Sequence, residues 1–116
     1  MPKHTGNSQN QFTSMGASLD RQLQANEALL GKTMDQDQLE KLAMASEQIS
    51  QQMRDLADLR HRYALSNLEP SEAEKALMDA AARIKGFSAS LKTVVNVLDS
   101  VAAVARIFTN LFTLFG

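Results

Sequence analysis

Cysteine and tryptophan do not occur in this sequence, tyrosine occurs once and proline twice. The lack of cysteine excludes disulfides, thiolate metal sites and a thiol nucleophile. It leaves the compartment open, because a cysteine-free chain tolerates reducing and oxidising surroundings alike. The prolines stand at positions 2 and 70, so nothing between them or beyond Pro70 forbids a long helix. An excess of one charge sign is lacking too: 12 Lys and Arg face 13 Asp and Glu. A net charge of −1 gives no general attraction to nucleic acid, and no nucleic-acid partner is expected. Between Met1 and Phe12 there is no apolar run of the kind a secretory signal needs. The expected location is cytoplasmic, or outside the cell by a route that reads no cleaved signal, with membrane association open.

The chemistry of sites is sparse as well. His4 lies in a polar tail, and His61 sits between Arg60 and Arg62, where it reads as a solvated helix end rather than a metal ligand. Asp35-Gln36-Asp37 lacks the glycine and distal glutamate of a calcium loop and suits helix capping better. Arg60-His61-Arg62-Tyr63 is too small a basic footprint for nucleic acid. No carboxylates stand paired in an apolar context, no Gly-rich phosphate loop exists, and no Ser or Lys has an activating partner. The expectation is a non-enzymatic chain with no catalytic residue, cofactor, metal or small-molecule substrate.

What is abundant is helix former: Ala, Leu, Gln, Glu, Lys and Met. With 116 residues the natural unit is one domain. The pattern predicts a polar N-terminal tail over 1–12 and a single all-α domain over 13–116, with helices at about 13–30, 37–66 and 71–115. Met15, Leu19, Leu23 and Leu30 give the first helix an imperfect stripe, and Gly31 is placed to end it. In the second, Leu39, Leu42, Ser46, Ile49, Met53, Leu56, Arg60 and Tyr63 step by threes and fours, a coiled-coil seam with two polar interruptions. Pro70 breaks the chain, and Ser71 with Glu74 has capping-box spacing. Beyond it Leu77, Ala80, Ile84, Phe87, Leu91, Val94, Leu98 and Val101 keep the heptad phase through Gly86, predicting one long helix, with a hinge at Gly86 as the alternative. The fold expected is a coiled-coil-like helical hairpin with a shorter N-terminal helix. Its seam is Leu42, Ile49, Met53, Leu56, Tyr63, Leu77, Ile84, Phe87, Leu91 and Val94.

Folding this hairpin at Pro70 leaves one arm too long. The second helix spans about 43 Å and the third continues for about 27 Å more. That extension is the most apolar part of the chain: between 106 and 115, Ile107, Phe108, Leu111, Phe112, Leu114 and Phe115 occupy an arc of roughly 160°. Burying each large side chain is worth about 1.5–3 kcal/mol, so an uncovered face of this kind implies an interface. The predicted interface or membrane-facing residues are Leu98, Val101, Val104, Ile107, Phe108, Leu111, Phe112, Leu114 and Phe115. The first helix, other copies of the chain, or a membrane surface could cover them. A simple membrane span fits less well, since Lys92, Asp99 and Arg106 share one stripe.

The plan of polar tail, helix, proline-containing turn and long C-terminal helix resembles that of small filament subunits of bacterial secretion needles. It also resembles that of small α-helical pore-forming components. Both likenesses are architectural and carry over no site residues. Three functions remain open: a self-assembling subunit of a homo-oligomeric or filamentous, secretion- or needle-like assembly; a membrane-active or pore-forming protein inserting residues 91–115; and a chaperone or adaptor for a partner helix.

Overall fold

A computed structural model of the chain describes residues 6–116. They form four helices: α1 (Gly6–Leu30), α2 (Gln36–Leu65), α3 (Pro70–Ser88) and α4 (Val94–Phe115), with no strand among the described residues. The all-α class is as the composition implies. Part of the expected polar tail, residues 1–5, lies outside the described residues; from Gly6 onward the chain is already helical.

Local chemistry sets most of the boundaries. Gly31 closes α1, its N–H donating to the Glu27 carbonyl at 3.1 Å. The Asp35 side chain caps α2 by accepting from the Asp37 N–H at 2.9 Å. Pro70 opens α3 at its first turn, where a missing N–H costs nothing. Thr93 caps α4, its Oγ1 accepting from the Asn96 N–H at 3.1 Å.

The single helix expected over 71–115 is therefore two helices, separated by Ala89–Thr93. A continuous helix of that length would run to about 67 Å, longer than the 55 Å long axis of the molecule. Nor does Gly86 act as the hinge: it lies inside α3. The reversal at 89–93 brings α4 back along the bundle, and that changes what covers its apolar face.

Side-chain pairs fix the topology. Ser8 with Tyr63 and Gln22 with Gln52 make α1 and α2 antiparallel. Gln52 with Val101 and Tyr63 with Phe115 advance together along the chain, so α2 and α4 run parallel. α1 packs on α2 and α3, and α4 packs on the same two; α2 and α3, consecutive in sequence, sit on a diagonal and barely touch. Two antiparallel pairs, α1/α2 and α3/α4, thus lie side by side. The α2–α3 seam expected across Pro70 is replaced by α2 against α1 and α4.

The seam residues are redistributed accordingly. Leu42, Ile49, Tyr63, Leu77 and Ile84 are buried, and Met53 and Leu56 are partly so. Phe87 is exposed, while Leu91 and Val94 are only half-buried. Arg60 faces water and its neighbour Leu59 takes the core position.

The core is divided. One cluster holds Phe12, Met15, Leu19, Leu59, Tyr63, Leu77, Ile84, Phe108 and Phe115, with all four helices contributing. A smaller one gathers Ala45, Ile49, Val97 and Val101, flanked by residues of α1 such as Leu23 and Leu29. Between them lies a polar layer. Ser100 donates to Gln22 Oε1, Gln22 Nε2 donates to Gln52 Oε1 at 3.2 Å, and Gln52 Nε2 donates to the Val101 carbonyl at 2.9 Å. Both glutamines and Ser100 are buried, so mutual bonding is what makes their burial tolerable.

Candidate functional site

Of the nine residues predicted to face an interface or a membrane, six belong to the core of the chain itself. Val101, Val104, Ile107, Phe108, Leu111 and Phe115 are buried. Leu98 and Phe112 are half-buried, and Leu114 is the exposed one. The physical reason is the reversal before α4 together with the early start of α1. Seven residues added to the front of α1 lengthen it by about 10 Å. That reach brings Phe12 edge-on to Tyr63, with centroids 5.6 Å apart. Tyr63 in turn meets Phe115 edge-on at 5.5 Å. The Arg62 guanidinium covers the Phe112 ring, 5.1 Å from its centroid, a cation–π contact. The greasy end of α4 is thus largely closed by the first and second helices, with Leu114 the exposed apolar side chain among these nine.

Seven large apolar side chains stay exposed among the described residues, and two of them, Phe87 and Leu114, line a groove. Along the outside of the α3–α4 pair run two adjoining depressions of about 150 and 320 Å³ that share Arg83, Ile107 and Asn110. They form one groove. Ala76 and Leu114 stand at one end, and Phe87 with Ala103 and Arg106 at the other. Phe87 and Leu114 are each 43 % exposed. The floor is apolar, the rim carries Asp79, Arg83, Arg106 and Asn110, and none of the three charged groups is in an ion pair among the described residues. A second depression between α2 and α4 is walled by Gln48, Gln51, Gln52 and Asp55 against Leu98, Val101, Ala102 and Ala105. It holds none of the large exposed apolar side chains, so it offers a partner less to bury.

Of the groove's lining, the apolar pattern marks Ile107, Leu111 and Leu114 as interface-facing and Phe87 as seam, and leaves Asp79, Arg83 and Asn110 unmarked. The signal was available in the spacing: Asp79, Arg83 and Phe87 recur every four residues on α3, a stripe that a helix presents on one side.

Among the described residues no group of three or more His, Cys, Asp or Glu side chains is placed to hold a metal ion. α4 is the one described helix long and apolar enough to cross a membrane by length and composition. A core helix of a soluble bundle has the same composition, and much of α4 is core here. Comparison with family models, with curated proteins and with solved structures returned no match.

Proposed function

We propose that this chain is a non-enzymatic helical subunit that works by associating with copies of itself, through the outer α3–α4 face rather than through the inner face of α4. The observation that carries this reading is the α3–α4 groove, whose two ends hold Phe87 and Leu114 half in water. A helical pair with an apolar floor and a polar rim is the anatomy of a protein contact. It gives no room for chemistry that would need a convergent set of activated groups.

One observation favours a second reading. α4 passes the length and composition test for a membrane helix, so a membrane-active form would insert it after releasing it from the bundle. That form would have to uncover Phe108 and Phe115 and carry Asp99 and Arg106 into lipid, which is expensive.

Sedimentation velocity from micromolar to millimolar protein, with and without anionic vesicles, separates the two. Self-association predicts a weight-average mass that rises with protein concentration and ignores the vesicles. A monomer throughout that floats with vesicles supports the membrane reading, and a monomer indifferent to both contradicts each.

A further inference from the structure

The α3–α4 groove is complementary to itself when turned end for end. Along α3, Ala76, Asp79, Arg83 and Phe87 lie on the groove side. At 1.5 Å per residue, Phe87 stands about 16 Å from Ala76, and Asp79 and Arg83 lie about 6 Å apart on either side of the midpoint. α4 runs antiparallel to α3, so Leu114 shares the level of Ala76, Ala103 that of Phe87, and Arg106, about 12 Å from Leu114, that of Arg83.

A two-fold axis through the groove's midpoint exchanges these levels. It lays the Arg83 level of each copy within about 2 Å of the other copy's Asp79 level. It also lays each Phe87 over the other copy's Ala76 and Leu114. Asp79 and Arg83 of each copy would meet opposite charges, Arg106 would stay on the rim, and Phe87 and Leu114 would be covered. The same contact is made twice, which is the requirement of an isologous interface.

We infer that the occupant of this groove is a second copy of the chain, docked antiparallel across a two-fold axis, with crossed Asp79–Arg83 ion pairs and Phe87 seated at the other copy's Leu114. The inference rests on the self-association reading and gives it a geometry. The order of apolar end, acid, base and apolar end is its own complement, so a second copy supplies the opposite charges and apolar ends that it calls for. The contact is closed, so it yields a dimer and leaves the rest of the surface unused.

Charge reversal tests it. Asp79 and Arg83 are both exposed, so their replacement leaves the fold intact, which circular dichroism checks. Asp79→Arg sets two arginines against two arginines, and Arg83→Asp sets acid against acid. Each variant alone is expected to dimerise at least about tenfold more weakly than the wild type, because like charges across an interface repel. An equimolar mixture of the two restores both crossed pairs and is expected to form the heterodimer. Phe87→Ser and Leu114→Ser give an independent pair, each weakening the dimer without changing helix content.

Three results would overturn the geometry while leaving self-association standing: a wild type that associates while both charge variants associate equally well, a mixture no tighter than its components, or serine variants that dimerise like the wild type. A wild type monomeric at millimolar concentration overturns both.

Discussion

Gln52 occupies a position where a leucine would be expected: buried, on the inner side of α2, between the α1 and α4 backbones. Its amide bridges Gln22 and the Val101 carbonyl, and Ser100 completes the chain of bonds through Gln22. Leaving one partner of such a group unpaired costs about 1–3 kcal/mol, whereas replacing all of them together can be nearly neutral. Gln52→Leu should therefore lower stability by about 1–3 kcal/mol in urea unfolding, while the triple change Gln22→Leu, Gln52→Leu, Ser100→Ala should lose less than the single one. A triple variant worse than the sum of its parts would mean that the layer is not a bonded unit. Phe108 behaves differently. At 2 % exposure it belongs to the core, so Phe108→Ala should cost about 3–5 kcal/mol of folding stability. Leu114→Ala, on a half-exposed side chain, should cost under about 1 kcal/mol. Sequence periodicity identified both residues as apolar and facing one side. It could not say which side, because the choice depends on where α4 turns back.

At the scale of elements, the break at 89–93 decides the architecture. Heptad phase continues through it, from Ile84 and Phe87 to Leu91, Val94 and Leu98, which is why the segment reads as one helix. The competing signals are weaker and local: Ser88 and Ser90 near the end of α3, and Thr93 as a cap. Once α3 ends, α4 is free to turn a different face inward, and Val97, Val104 and Leu111 are buried where the heptad phase continued from Leu91 and Val94 would place Leu98, Ala105 and Phe112. Thr93→Ala should remove the capping bond to the Asn96 N–H and cost about 0.5–2 kcal/mol in thermal or urea unfolding. Gly86 gives the opposite sign. It is helical, its φ is not positive, and a Cβ added there meets nothing within 4 Å. Gly86→Ala should stabilise by about 0.5–1 kcal/mol; a loss instead would point to a hinge at that residue.

α1 hides its seam by a related route. Ser8, Phe12, Met15, Leu19, Gln22 and Asn26 follow heptad spacing and are all buried. Three of them are polar, so an apolar count begins the helix at 13 and misses the reach of its first two turns. Burial of those polar groups becomes intelligible only with their partners in view, such as the Leu42 carbonyl that accepts from Asn26 Nδ2 at 2.8 Å.

Over the whole molecule, two unequal cores imply two stabilities. The larger cluster draws on four helices and three interlocked aromatics, Phe12, Tyr63 and Phe115. The smaller one sits beyond the polar layer, and α3 contributes nothing to it. There Asn26 Oδ1 is buried without a hydrogen-bond partner, a further local cost. Native-state hydrogen exchange should therefore show faster opening of α1 after Gln22 and of α2 before Gln52 than of the segments around Leu19, Leu59 and Phe108. Uniform protection along α1 would contradict this division. The same view separates two faces of α4: the inner face holds the monomer together, and the outer α3–α4 face is the one proposed for contact.

A dilution series followed by amide and aromatic-ring NMR tests that separation most directly. The account predicts that shifts with protein concentration are confined to the groove, at Ala76, Asp79, Arg83, Phe87, Arg106, Asn110 and Leu114, while the ring cross-peaks linking Phe115, Tyr63 and Phe12 persist in the most dilute sample. Loss of those cross-peaks on dilution, with Phe108 and Phe115 moving instead, would mean that α4 is completed only by a neighbour, and would contradict it.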